Sequence, residues 1–407
     1  MKNHHDKAMP LTLALMTAII ATPASSAEQA STTLRSDGAA GRAFGDPVTP
    51  DAKPIVNRLG APDTSRVRAE TASQIKNVTP GFAFGFGGAP SPGTRAFGSF
   101  GLPYTSTRVQ SSQSNQSATN GNYLSSTAPY RFIGKLFMNG GYCSASLIRR
   151  SVIVTAAHCI QNYGSGNNIF GGWIFIPGYY GPRATQAQRE PYGRWRWTLL
   201  TRPTVWVNGN DTCSGSACNN DLAVIILAKN ASNQFIGDVL GGWLGYGWNN
   251  YSFVSSAKTA NLAVAATSTL GYPGLMDSGN IMQRADGPSY LTTINGALQI
   301  WQGNNFTGGS SGGPWIVNFV SFNPTLSGGA VIGTGWARAV VGVTSWGSAD
   351  PNGIKDNYSS RFGQNPQFPN ASYGTYGAGN IGRLLNDACS QPVSPGGPTY
   401  AASGYCN

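Results

Sequence analysis

Val154-Thr155-Ala156-Ala157-His158-Cys159 decides how this chain is read, because His158 is the one histidine left once His4 and His5 are set aside with an export signal. Any imidazole acid–base chemistry has a single place to occur. Downstream, Gly309-Ser310-Ser311-Gly312-Gly313-Pro314 puts a serine in a glycine-rich bend. Between the two, Asn219-Asn220-Asp221-Leu222-Ala223-Val224-Ile225-Ile226-Leu227 sets a carboxylate at the mouth of an apolar run. Histidine, aspartate and serine in that chain order are the parts of a serine hydrolase. The alcohol is a weak nucleophile until a base takes its proton, and an imidazole with an ordinary pKa near 6.5 suits that task. Asp221 is the preferred orienting acid because it opens an apolar strand, with Asp211 and Asp238 as weaker candidates.

Around this core the chain divides into zones. Residues 1–27 read as a secretory signal: Lys2 and Lys7 flank the apolar stretch from Leu11 to Ala21, and Ser25-Ser26-Ala27 is a small-residue cleavage site. That stretch is shorter than the roughly 20 residues a spanning helix needs. The mature protein is therefore expected outside the cytoplasm (extracellular or periplasmic), with no membrane contact after signal removal. Residues 28–125 are dense in Gly, Pro and Ser and read as a poorly ordered, low-complexity propeptide or spacer. Phe82, Phe84 and Phe86 stand there at strand spacing, whereas Ser111 to Ser117 has no period. Arg108-Val109 is one candidate processing point, and the Ser-rich stretch up to Thr127 offers others.

From 126 to 407 the texture is that of an all-β domain. Arg131 to Phe137, Ser151 to Val154, Asn168 to Ile176, Thr204 to Val207, Leu222 to Leu227, Leu262 to Val264, Trp315 to Val317 and Ala339 to Val343 are short apolar or alternating runs between turn residues. One helix is expected, over Asn380 to Asp387.

The six cysteines suit an oxidising compartment. Many pairings are open to six cysteines; proximity favours Cys213 with Cys218 and Cys389 with Cys406, leaving Cys143 with Cys159. A zinc site is the poorer alternative, since no second histidine stands nearby and no CxxC pair exists. Lys and Arg total 27 against 16 acids, a scattered +11 that marks no nucleic-acid module.

The glycines about Ser311 suggest backbone donors for an oxyanion, from the amides of Gly309 and Ser311. The same string fits the nucleophile elbow of α/β-hydrolases, but that order needs a histidine after the serine and none follows.

Together these runs resemble the trypsin/chymotrypsin-like serine endopeptidases. Thr155 to Cys159 is similar to their histidine motif, Asp221-Leu222-Ala223 to the aspartate motif, Gly309 to Pro314 to the serine motif, and Val343-Thr344-Ser345-Trp346-Gly347-Ser348 to the strand lining the cleft. Cys143, in Gly141 to Ile148, resembles the half-cystine bridged to the cysteine after the histidine. Gly271-Tyr272-Pro273-Gly274 is similar to the bacterial glutamyl endopeptidase branch.

The resemblance implies two six-stranded antiparallel β-barrels with a short C-terminal helix. It also implies an acyl-enzyme mechanism on protein or peptide substrates, no cofactor, no metal and a monomer. Asn305, six residues before Ser311, falls at the base of the primary pocket and implies an uncharged one. Ser345 and Gly347 would pair with substrate backbone, and Trp346 would wall the cleft. Two departures stand out. Ser310 replaces the aspartate with which the animal enzymes capture a new N-terminal amine. Thr344-Ser345-Trp346 lacks the histidine on which glutamate specificity rests. A protease-like binding protein and an ester hydrolase on the same barrels are the competing functions.

Overall fold

The computed structural model describes residues 30–36, 48–49, 52–60, 98, 102–110, 124–255, 261–319, 338–347 and 354–407. The signal segment, Phe82 to Phe86, Ser111 to Ser117 and Ser348 lie outside them.

Twelve strands form two closed barrels. The first comprises β1 (Ile133–Met138), β2 (Gly141–Arg149), β3 (Val152–Thr155), β4 (Ile174–Pro177), β5 (Trp195–Pro203) and β6 (Ala223–Leu227). The second comprises β7 (Val264–Gly271), β8 (Gln283–Ile294), β9 (Ala297–Gly303), β10 (Pro314–Val317), β11 (Ala339–Gly347) and β12 (Asp356–Arg361). Around the first barrel the order is β1-β2-β3-β6-β5-β4, closing back on β1. Around the second it is β7-β8-β9-β12-β11-β10, closing on β7. The two orders are the same pattern repeated, every pairing in both rings is antiparallel, and closure removes the exposed edges that invite aggregation.

The apolar runs account for the first barrel directly. Leu136, Ile153, Val154, Leu200, Val224 and Ile225 are fully buried in one continuous core. That core extends to the C-terminal helix α1 (Gly379–Ser390), whose Ile381, Leu384, Leu385 and Ala388 recur at helical spacing on the buried face.

Two short runs depart most from the strand reading, and Leu262 to Val264 meets a strand only at its last residue. Thr204–Asn208 is a single helical turn, begun after Pro203 and ended by Gly209 in the left-handed region at φ 73°. A brief apolar run fits a buried strand or a buried turn equally well, and here the flanking Pro and Gly decide. Asn168 to Ile176 becomes a strand only from Ile174, because Gly171 and Gly172 take φ 74° and 68°.

Parts of the 28–125 zone are built into the barrels. Ser31–Arg35 pairs antiparallel with β5, and Thr105–Arg108 with β8. Arg108-Val109, the candidate processing point, sits in this second pairing: Val109 is buried and its amide donates to the Met282 carbonyl. Among the described residues no helix is long and apolar enough to cross a membrane.

Candidate active site

His158 lies in the one-turn segment Ala157–Cys159 just after β3, and Asp221 lies two residues before β6. Those strands are antiparallel neighbours, with Thr155 registered opposite Ala223. Residues 63 apart in the chain thus leave the same end of one sheet side by side. Asp221 is fully buried and its carboxylate is fully engaged. Oδ1 accepts from the His158 amide at 2.9 Å; Oδ2 accepts from His158 Nδ1 at 2.8 Å and from Ser345 Oγ at 2.5 Å. An ionised carboxylate only accepts, so Nδ1 is the protonated ring nitrogen and Nε2 is left basic. Nε2 is buried and has no hydrogen-bond partner among the described residues.

Ser345 reaches the carboxylate through a break in the sheet. Between Thr344 and Trp346 the β11–β12 register shifts by a residue, and Ser345 is the extra one. A bulge of this kind re-aims a side chain that regular pleating would place elsewhere.

The serine loop is held by Ser144 of β2. The Ser144 amide donates to the Ser311 carbonyl at 2.8 Å, its hydroxyl donates to the Gly309 carbonyl at 2.9 Å, and the same hydroxyl accepts from the Tyr272 amide at 2.9 Å. Its own carbonyl takes the Thr155 hydroxyl at 2.9 Å. Gly312, at φ 78°, packs so tightly on the histidine turn that a Cβ there would stand 2.0 Å from Thr155 Oγ1 and 2.8 Å from the Ala156 nitrogen. Gly309, at φ 97°, has no more room: its Cβ would meet the Tyr272 carbonyl at 2.6 Å. Within the loop, the amides of Ser310, Gly312 and Gly313 donate to backbone carbonyls. Among the described residues no acceptor takes those of Gly309 and Ser311.

The serine loop therefore abuts the histidine turn, with Ser311 nearly buried, although no hydrogen bond joins Ser311 to His158. Such bonds are often long in unliganded sites and tighten only when substrate is bound.

The other residues expected at the site fall as follows. Asn305 is half-buried, and its Oδ1 is buried without a partner among the described residues. Trp346 stacks on Tyr358 with centroids 3.8 Å apart and donates from Nε1 to Gln299. Gly347 faces Asn357, where a Cβ would come within 2.5 Å of Oδ1. Asp211 does not touch the imidazole: it accepts from the Asn220 amide at 2.8 Å and from its side chain at 2.7 Å, fixing the residue before Asp221. Burial, with Asp221 adding to it, pushes the Asp211 carboxyl up to about 7 despite those bonds. Asp238 is a surface partner of Arg150.

All three expected disulfides form: Cys143–Cys159, Cys213–Cys218 and Cys389–Cys406. Cys143, His158 and Cys159 do cluster, but both sulfurs are spent in a bridge, which removes the zinc reading. Ser144 was invisible as a site residue in the sequence, where it looks like an ordinary strand residue; Thr155 entered only as part of the histidine motif, and Asp211 only as an alternative orienting acid.

No protein-family profile matches the chain. Among curated proteins it is similar to a glutamyl endopeptidase of Bacillus licheniformis, 27% identical over 213 residues, covering 52% of this chain and 55% of that protein. The chain thus spans about half the length of this relative. Among solved structures it is similar to the thermostable serine protease AL20 from an extremophilic microorganism (TM-score 0.42, 22% identity, 57% of this chain and 92% of that one). It is also similar to the protease Anisep of Arthrobacter nicotinovorans (TM-score 0.43, 22% identity, 58% and 92%). Scores of that size carry no argument about activity. The repeated barrel pattern is that of a chymotrypsin-like fold, and in the chain order of its site residues the chain is similar to the trypsin/chymotrypsin-like serine endopeptidases.

Proposed function

We propose that the chain is an exported serine endopeptidase, made with a signal over 1–27 and a propeptide within 28–125, and working as a monomer on protein or peptide substrates. The observation that carries this reading is the buried His158–Asp221 pair, with Nδ1 engaged and Nε2 unpartnered beside a serine loop. Ser311 Oγ attacks the scissile carbonyl carbon as its proton passes to His158 Nε2. The free amides of Gly309 and Ser311 receive the oxyanion. When the tetrahedral intermediate collapses, the C–N bond breaks, and the amine leaves with the proton from Nε2. Water, deprotonated by the same nitrogen, then hydrolyses the acyl ester.

Asn305 supplies a neutral pocket base, which disfavours Arg and Lys because no carboxylate would balance a buried cation. Ser345 and Gly347 offer backbone to the substrate, and Trp346 lines the cleft. The relative's name speaks of glutamyl bonds; the histidine-free Thr344-Ser345-Trp346 favours a different, uncharged preference here.

A fluorophosphonate probe applied to the processed protein tests this. Capture at Ser311, lost in Ser311→Ala together with casein degradation, is the expected result. Correctly processed protein that is neither labelled nor active on casein would establish a binding protein instead, and labelling with ester but no casein turnover an esterase.

A further inference from the structure

Lys135 of β1 is fully buried, and none of the roles above uses it. It is registered opposite Ser144, so its side chain shares a sheet face with the residue that clamps the serine loop and with Tyr142 two positions along. Its Nζ donates to the Gly279 carbonyl at 2.8 Å and stands 3.8 Å from the centre of the Tyr142 ring. The rings of Phe137 and Tyr179 lie 5.0 Å away. Asp277, in the same turn as Gly279, is committed to Arg108 and Gln283. Burial drives the amine down to about 7, so its cationic form prevails only below that pH.

Tyr142 also meets the serine loop, through Cε2 and its hydroxyl. A Cβ on Gly309 would lie 2.7 Å from Tyr142 Cε2 and 2.8 Å from its hydroxyl, which is itself buried and has no hydrogen-bond partner among the described residues. That hydroxyl also closes on Gly279, where a Cβ would stand 1.9 Å away. Amine, ring and Gly309 therefore form one contiguous set of contacts, with Gly279 bracing both ends. In its protonated form the amine is attracted to the ring face by the ring's quadrupole, more strongly in a desolvated site than in water.

We propose that Lys135 is a positioning residue which, through the Tyr142 ring, holds the Gly309 amide where an oxyanion forms. This rests on the reading of Gly309 and Ser311 as oxyanion donors. An amide displaced by a fraction of an ångström loses much of its effect on a developing charge while leaving ground-state binding intact.

The test compares the full processed enzyme with Lys135→Met, which keeps length and removes charge, and with Tyr142→Leu, which removes the ring. Inactivation by a fluorophosphonate is resolved into its binding constant and its limiting rate, since the probe's phosphoryl oxygen takes the same two amides. In both variants the limiting rate should fall at least tenfold with the binding constant within twofold, and casein turnover should fall in parallel. A purely structural lysine would lower the melting temperature and leave the limiting rate per folded molecule unchanged. A limiting rate within twofold of wild type in either folded variant, or a loss confined to the binding constant, overturns the proposal. Should Lys135→Met fail to fold, Tyr142→Leu decides alone. Failure of the wild-type enzyme to be captured at Ser311 would instead defeat the serine-protease reading itself.

Discussion

The two barrels share one strand order and are filled differently. The first is packed mainly with aliphatic and aromatic side chains, in a continuous cluster that also takes in Leu270, Ile316, Val340 and Val343 of the second, with Lys135, Ser144, Thr201 and Arg202 among its buried polar exceptions. The second has two small apolar clusters of its own, and buries Thr267, Thr269, Ser289, Gln299, Gln302 and Asn357. Gln302 sits at the centre of that polar set. It accepts from the Thr269 hydroxyl at 3.0 Å and the Asn304 side chain at 3.1 Å, and donates to Thr267 and to the Gly287 carbonyl. Apolar burial is non-directional, so the first barrel makes a stiff frame on whose rim a histidine and an aspartate can be fixed. Hydrogen bonds are directional, so the second barrel specifies loop positions: Asn357 ties the carbonyls of Asn304 and Phe306 on either side of Asn305.

The largest expected effect probes where the barrels meet at Asp221. Asp221→Asn should lower kcat on the order of 10⁴-fold, because the amide no longer demands the productive tautomer. Ser345→Ala, which removes only the second barrel's contribution to the same carboxylate, should lower it on the order of tenfold. Equal losses in steady-state kinetics would mean that the first barrel does not hold the pair by itself.

A pair of similar-volume swaps addresses the packing contrast. Leu147→Met in the first barrel should cost less than about 1.5 kcal/mol. Gln302→Leu in the second strands several buried polar groups and should cost about 1–3 kcal/mol for each one left unsatisfied. Urea denaturation of both variants measures this, and a neutral Gln302→Leu would erase the distinction between the barrels.

The smallest effect is electrostatic. Asp211 has its carboxyl raised from 3.8 to about 7 on folding, so between those values the native state binds more protons than the unfolded chain. Stability from this group is therefore present at low pH and declines as pH rises from about 4 to about 7. Asp211→Asn should flatten that part of the stability-versus-pH curve, as followed by thermal melts. A slope unchanged by the substitution would place its origin elsewhere.

Much of this was legible in the chain. His158 stood out by scarcity, Ser311 by its glycines, and Asp221 by its place at the head of an apolar strand; the nearest-neighbour cysteine pairs are the pairs that form. Thr204 to Val207 misled, because four apolar and β-branched residues carry too little period to separate a strand from a turn. Ser144 and Lys135 gave no signal, since a serine and a lysine in a strand ordinarily face water.

What the sequence determined by itself is chemical: which side chains can exchange a proton, which backbone positions tolerate only glycine, and where apolar runs require burial. The tertiary structure alone decided neighbourhood. Strand register set Thr155 opposite Ala223, a one-residue bulge turned Ser345 onto a carboxylate, and barrel closure buried an amine against the tyrosine ring that touches the serine loop. Local composition is written residue by residue along the chain. Contact between distant residues depends on how whole sheets close, and that depends on the summed packing of every strand at once.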